Sequence, residues 1–422
     1  MTQTNSNFNM PTLFIGIDWA DQNHDCHIFC PDGRQVSMKL VHSPEEIDQW
    51  VAKMTDLAGD GKIAIMLEQS KGALIHALMQ RENIILYPVN PKQLAKYRES
   101  YPGGNGKSDP TDAMYLARML RERIRILKPW RPDDQQTRLL NKLCEQRRQI
   151  VASHTKSRQQ LISVLKQYFP LALQLFGKSH QEKLLLGVLR RWSDPREFRR
   201  ADRRIISRVL KEHGIRNSDR QEQTIDTIRT ATLLTEDEAL ITPLALTVDF
   251  LTQQIQGCNK AIETFETKIT ATFNAHPDAN LFRSLRGAGP TLAPRLLCAF
   301  GSQRDRWNSA DDLASYSGIA PVTRQSGKQR VVQRRYACPK FLRQTFHEFA
   351  DAARKWCTWT RARYKMLKER GMKHHAALRK IARSWIRILF QVWKRRTEFD
   401  SERYIENLKL RCPEIIPYLE NK

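Results

Sequence analysis

The sequence predicts an α/β domain with a mixed sheet at the front of the chain, a long helical or coiled-coil region behind it, and a mostly α-helical last part. Three observations predict this. Short apolar runs of strand length alternate with amphipathic stretches of helix length up to residue 128. Strand patterns then cease from Pro129 to about residue 275, where apolar residues recur at three- and four-residue steps. The charge divides at the same place. Residues 1–128 hold 15 Lys/Arg and 15 Asp/Glu, whereas the remaining 294 residues hold 55 and 30, which accounts for the whole formal net charge of +25.

Taken in order, 13–17, 27–29 and 35–40 read as three successive strands, the last two joined by the turn Pro31-Asp32-Gly33-Arg34. Ser43-Pro44-Glu45-Glu46 opens a helix with an N-cap, a proline at the first helical position and acids in the first turn. The wholly apolar run 63–67 is a buried strand. A helix at about 71–81, a strand at 84–87, a short helix after Pro91, a loop over 101–110 and a helix at about 110–124 complete a domain of residues 1–128. In the region 129–275, Leu140, Leu143, Ile150, His154, Leu161 and Leu165 mark one long amphipathic helix, a second runs from about 236 to 273, and 178–232 is a basic helical insert. The last part, 276–400, opens with a tight turn at Gly287 and Gly289 between two helical patterns. Amides of the following helix N-terminus could meet a phosphate there, or the turn could be an ordinary helix–helix connection. Two long helices follow residues 317–346, one with an apolar stripe of Leu378, Ile381, Trp385, Ile388 and Val392 that reads as core, and 401–422 is a C-terminal tail.

Composition narrows the function. No apolar stretch approaches the roughly 20 residues of a membrane span, and the polar start of the chain lacks the features of a signal peptide, so a cytoplasmic protein is expected. The eight cysteines form no CxxC pair, which suggests neither a zinc ribbon nor a disulfide framework. A neutral front and a strongly basic rear suggest a polyanionic partner, most simply nucleic acid, because the basic residues are spread over helical patterns rather than gathered in one membrane-directed tail.

Four acids stand at the ends of apolar elements. Asp18 closes the first strand, Glu68 closes the strand at 63–67, and Asp109 and Asp112 begin the helix Asp-Pro-Thr-Asp-Ala-Met-Tyr-Leu-Ala. Locally, Asp109 and Asp112 look like capping residues. Yet 109, 112, 113, 116, 117 and 120 share one helix face, so both aspartates extend the stripe expected to pack on the sheet. Inward acids are costly unless a cation neutralises them. Clustered carboxylates suit Mg²⁺ or Mn²⁺, and such ions can activate an attacking oxygen and stabilise a leaving oxygen at a phosphodiester.

The segments FIGID, IMLEQS and KSDPTDAMYLA resemble the DEDD-type transposases of bacterial insertion sequences, relatives of the Piv/MooV DNA invertases. LRGAGPTLAPRLL, WNSADDLASYSGIAPVTRQSG and CPKFLRQTF are similar to the C-terminal transposase domain of the same family. The resemblance covers about residues 12–128 and 276–395. It implies an RNase H-like (RuvC-like) fold for the first domain and a metal-binding tetrad of Asp18, Glu68, Asp109 and Asp112. It further implies a DNA transposase or recombinase of a bacterial cytoplasm that works as a homo-oligomer, is guided by a structured RNA from the element, and acts on donor and target DNA. Candidate nucleic-acid contacts are Lys107, Arg286, Gly287, Gly289, Lys328, Arg330, Arg334, Arg335, Lys340 and Arg343.

The nucleophile departs from the family pattern. Better-known members carry a serine before the corresponding C-terminal helix, whereas the matching stretch here, QRRYACPKFLRQ, is about two residues shorter and has none. Cys338 falls nearest, with Arg334 and Arg335 flanking it, and Ser326 is the nearest hydroxyl upstream. A small buried cysteine before a helix is the plain alternative. Two rival functions remain at this level: a resolvase-like endonuclease in which water attacks, and an architectural nucleic-acid-binding protein whose acids are a relic.

Overall fold

The computed structural model describes residues 10–68, 72–102, 108–327 and 329–420, arranged as two compact units divided after Pro132. In the first unit, β1 (Leu13–Asp18), β2 (Asn23–Phe29), β3 (Gln35–Val41), β4 (Ile63–Leu67) and β5 (Ile84–Pro88) form one sheet in the order β3-β2-β1-β4-β5. The first three strands are antiparallel neighbours, and β1, β4 and β5 run parallel. Helices cover both faces. α1 (Pro44–Ala58) and α2 (Ala73–Leu78) bury Ile47, Trp50, Met54, Leu74 and Leu78 against Leu13, Ile15, Ile17, Ile63, Ile65 and Leu67. On the other face, α3 (Pro91–Glu99) and α4 (Asp109–Arg123) bury Leu94, Tyr97, Leu116 and Leu120 against Phe14, Ala64 and Met66. Central strands covered on both sides carry no polar alternation, which is why 63–67 is apolar throughout.

Two elements differ from expectation. β2 begins at Asn23 rather than His27, because His24 is fully buried and held by polar partners. α2 spans only Ala73–Leu78, shorter than the helix expected over 71–81; the start of that expectation lies outside the described residues.

The second unit is helical. α5 (Gln135–Tyr168) carries into a group of five short helices, α6–α10 (Pro170–Phe176, Glu182–Arg191, Pro195–Arg200, Arg203–Glu212 and Ser218–Thr230), before α11 (Glu238–Asn274) returns antiparallel to α5. The direction follows from the cross-links Gln136 to Thr272, Arg147 to Glu266 and Ser157 to Gln254. The insert has its own core, in which Phe169, Phe198, Trp192 and Leu189 pack on Leu161 and Leu165 of α5. Leu140, Leu161 and Leu165 are buried as their spacing predicts, but Leu143, Ile150 and His154 are only half-buried. The reason is local: no residue of α5 between Cys144 and Ser157 is buried, because this stretch meets its neighbours largely through polar side chains, Arg147 with Glu266 of α11 and His154 with Glu182 of α7.

The rest of the chain forms one core from α12 (Ala279–Arg283), α13 (Gly289–Phe300), α14 (Ala310–Tyr316), α15 (Lys340–Trp356), α16 (Thr358–Glu369) and α17 (His374–Arg395). Residues 340–395 form three helices where two were expected. Leu378, Ile381, Trp385 and Val392 lie in this core, as the stripe predicts, whereas Ile388 is only half-buried against it. α18 (Ser401–Arg411) and α19 (Ile416–Glu420) lay Tyr404, Ile405, Leu408 and Leu419 against it. A two-stranded ribbon, β6 (Val322–Ser326) paired antiparallel with β7 (Gln329–Gln333), projects from a region where no strand was expected. Its Thr/Arg/Gln/Ser composition hides the strand, because an exposed ribbon has no apolar face to betray a period of two. Among the described residues, no helix is long and apolar enough to cross a membrane.

Candidate active site

The carboxylates are gathered by the way α4 crosses β1. Gly16 lies in the middle of β1, and a Cβ built there would sit 2.1 Å from the Ala113 carbonyl oxygen and 2.4 Å from the Ala117 nitrogen. The backbone of α4 therefore rests directly on the strand, as a glycine within a buried strand permits. Phe14, Gly16 and Asp18 share the face covered by α4, because side chains two apart point the same way. In β4, Ala64 and Met66 occupy that face, and Glu68 follows in the same alternation. The parallel register Gly16↔Met66 and Ile17↔Leu67 sets Asp18 and Glu68 side by side as the two strands end. Asp112 precedes Ala113, the residue seated on Gly16, so the first turn of α4 comes to the same end of the sheet.

Their environments differ. Asp18 and Glu68 are half-buried. Asp112 is 5 % exposed, and Arg98 Nη1 donates to its Oδ1 at 2.5 Å. This ion pair is almost dry, and the Arg98 Nε is buried with no hydrogen-bond partner among the described residues. Asp109 is exposed, which corrects the expectation that both aspartates of α4 face inward. Its position explains this: it is the first residue of the helix, about 6 Å further along the axis from Ala113. Among the described residues, no three His, Cys, Asp or Glu side chains are close enough to hold a metal ion. The donor set is all carboxylate and suits a hard divalent cation by chemistry. In this structure the buried member of the set is neutralised by Arg98 instead.

The segment after Asp18 is anchored by histidines. The Ala20 amide donates to His24 Nδ1 at 3.2 Å, and His24 Nε2 lies 2.9 Å from His42 Nδ1. Burial first, and then His42, hold the His24 pKa below its ordinary value, which favours the neutral ring. Trp19, 38 % exposed, stacks on His24 with ring centroids 6.2 Å apart. Gly16, Arg98 and Trp19 were all missed in the sequence. Only Gly16 left a signal, as a glycine interrupting an apolar strand.

Gly16→Ala tests the crossing. Its methyl group meets backbone atoms that cannot move aside, so a loss of about 2–3 kcal/mol in the stability of the first unit is expected. Gly257 in α11 has open space around a Cβ, and Gly257→Ala is expected to be neutral or stabilising by about 0.5–1 kcal/mol. Thermal unfolding of the two variants checks both; a Gly16→Ala protein as stable as the parent would contradict the close approach.

The second unit places the other candidates apart from one another. Ser326 is exposed at the end of β6, whereas Cys338 is half-buried just before α15. The Cys338 Sγ lies over Gly318, whose Cβ would come within 2.3 Å of it. Arg343 Nη1 donates to the sulfur at 3.5 Å. The guanidinium at the thiol is thus that of Arg343, one helical turn on, and not Arg334, which lies over the Tyr336 ring. Gly287, at φ +91°, is pressed against the α15 backbone at Ala352 and Ala353, so its turn serves packing. Gly289 is open, Arg286 is exposed, and α13 has no side-chain cap. Arg330, Arg334 and Lys340 are exposed and Arg335 is partly covered, while Lys107 and Lys328 lie outside the described residues.

A sheet ending in paired carboxylates, followed by a basic helical unit, defines a class: enzymes that act on nucleic-acid phosphodiesters. Comparison with known families narrows it. Residues 15–170 match the DEDD transposase model of the IS110 group, and residues 279–365 match that of the IS116/IS110/IS902 family of transposases. The chain belongs to this family of insertion-sequence transposases. It is 26 % identical over 404 residues to the protein assigned as transposase of the IS117 mini-circle of Streptomyces coelicolor, covering 93 % of this chain and 96 % of that one. It is 25 % identical over 407 residues to an uncharacterized 43.6 kDa protein of the insertion element IS110 from the same organism, covering 92 % and 96 %. An uncharacterized 42 kDa protein of IS900 from Mycobacterium paratuberculosis is 26 % identical over 330 residues, covering 75 % and 79 %.

Proposed function

We propose that this transposase is an RNA-guided, divalent-metal-dependent recombinase that cleaves and rejoins DNA strands to mobilise an insertion sequence. The observation that carries the reading is the meeting of Asp18, Glu68 and the first turn of α4 at one end of the sheet, over Gly16. The strand order β3-β2-β1-β4-β5, with three antiparallel strands and then two parallel ones, supports an RNase H-like assignment for residues 1–128. Asp18, Glu68, Asp109 and Asp112 would hold Mg²⁺ or Mn²⁺, which when bound neutralises charge on the scissile phosphate and polarises it. Arg98 donates to Asp112 and fixes the position of its carboxylate. The exposed apolar side chains of Leu246 and Phe250 on α11 support oligomerisation through residues 129–275. The last part, 276–400, supplies the nucleophile.

Guidance by RNA is supported by the family resemblance and by the placement of the whole +25 excess beyond residue 128, which suits two polyanions. The test uses the full-length protein, a donor and target DNA pair, and the RNA transcribed from the non-coding end of the element. Strand exchange is expected only when that RNA is present, and only with Mg²⁺ or Mn²⁺. Exchange at the same rate without RNA would remove guidance from the reading, and exchange in a chelator would remove the metal.

A further inference from the structure

The ribbon β6–β7 serves no core. Nine of its ten strand residues are exposed, including Val331 and Val332 at 46 % and 58 %. A lone two-stranded hairpin is marginally stable in water, so this one is costly unless something covers it. The charge around it says what would. From 313 to 347 the chain contains no Asp or Glu and seven Lys or Arg. At the foot of the ribbon, Tyr336 is 78 % exposed beneath the Arg334 guanidinium. Arg379 is held below its usual range, by burial first and then by repulsion from Arg334. A polyanion would relieve that crowding.

The two faces of the ribbon are unequal. The register sets Gln325 opposite Arg330, on a face shared with Thr323 and Val332. Val322, the one ribbon residue partly covered by the rest of the unit, lies on the other face. On the face without Val322 every residue is exposed, and the register sets an arginine and a glutamine directly opposite each other there, whereas Arg324 on the other face stands opposite Val331. Arginine and glutamine are the side chains that pair in two-point fashion with guanine and adenine edges.

We infer that this ribbon enters the major groove of double-stranded DNA, with Arg330 and Gln325 toward the base edges and Arg334 and Arg335 on the flanking phosphates. The inference rests on the reading of the chain as a DNA recombinase and names the form of DNA it grips. Size agrees. Two strands about 4.8 Å apart with their side chains fit a groove about 12 Å wide. Five residues span about 17 Å, half a turn of B-form DNA. The major groove of A-form RNA is too deep and narrow for side chains to read, which favours DNA.

The test measures binding of the full-length protein, Arg330→Ala and Gln325→Ala to three probes: a DNA duplex, the same duplex methylated at guanine N7, and double-stranded RNA of the same sequence. Both substituted residues are exposed, and the unfolding midpoint checks that the fold persists. The parent protein is expected to lose about tenfold in affinity on the methylated duplex. Arg330→Ala should lose about tenfold on unmethylated DNA, become insensitive to methylation, and bind the RNA as the parent does. An equal loss on RNA would make the ribbon a general phosphate contact and overturn the groove assignment. So would variants that bind the DNA duplex as tightly as the parent. A parent protein with no affinity for duplex DNA would instead sink the recombinase reading on which the inference stands.

Discussion

Asp18→Asn is expected to lower DNA strand exchange by about 10³-fold or more, with affinity for DNA and RNA within about threefold of the parent. Removing one preorganised charge-stabilising group from an active site commonly costs 10²–10³ in rate, and a lost metal ligand adds the loss of the ion it holds. The three other acids separate chemistry from stability. Glu68→Gln keeps the shape of its strand end and should match Asp18→Asn. Asp112→Ala strands the buried Arg98 guanidinium without its partner, and breaking such a pair costs about 3–5 kcal/mol. Its lost activity would mix two causes, so Asp112→Asn is the better variant, since its amide oxygen can still accept from Arg98. Asp109 is exposed and forms no part of the core, so Asp109→Ala should unfold at the parent's temperature and still be inactive. Exchange assays paired with thermal unfolding decide the matter. Near-parental exchange by any two of the four variants would remove the tetrad from the mechanism.

The parts of this arrangement visible in the sequence are those that a single element reports about itself. The strand at 63–67 is apolar on both faces because helices cover both faces, and it announces itself without help. Ser43-Pro44-Glu45-Glu46 begins α1 as its capping chemistry requires, with the Glu46 amide donating to Ser43 Oγ. What the sequence could not report is pairing between elements. Arg98 lies fourteen residues before Asp112 on a different helix, and nothing in either segment marks them as partners. The inward turn of Asp112 followed from the periodicity of α4, yet the same periodicity misplaced Asp109, because a helical wheel does not say where the helix runs past the end of the sheet. His24 reads as polar loop and is core, since its hydrogen bonds come from Ala20 and His42. The ribbon is the converse case: strands with no buried face have no hydrophobic pattern to read.

Residues 1–128 are neutral and hold the four acids, and the residues beyond carry the whole charge excess. This division suits the chemistry. A strongly basic surface directly around a carboxylate cluster would pair with it, as Arg98 pairs with Asp112, and would compete with a metal for the same oxygens. Keeping most cations beyond residue 128 leaves the acids available while the rear unit neutralises phosphates.

Cys338→Ala is expected to eliminate strand exchange together with any covalent protein–DNA adduct, while Ser326→Ala retains both. The geometry favours the thiol over the hydroxyl. Ser326 ends an exposed strand with open solvent around it. Cys338 is half-buried, has the Arg343 guanidinium at 3.5 Å, and precedes the 17-residue helix α15 by two positions. No side chain among the described residues caps that helix, so its first amides and its dipole favour an anionic phosphate there. In the proposed step the thiolate forms a sulfur–phosphorus bond, the bond from phosphorus to a deoxyribose oxygen breaks, and that oxygen takes up a proton. A hydroxyl of the incoming strand later displaces the sulfur and restores the phosphodiester. Cys338→Ser keeps a nucleophile of nearly the same size but one that needs a base at neutral pH, so partial exchange of a few per cent or less is expected. The competing explanation is packing, because the sulfur fills the space over Gly318. Packing alone predicts that Cys338→Ala lowers the unfolding midpoint slightly and leaves exchange intact. Trapping the adduct on a nicked DNA substrate and mapping the modified peptide separates the two. A peptide containing Ser326 would move the attack to the ribbon, and the absence of any adduct during active exchange would assign it to water at the carboxylate site.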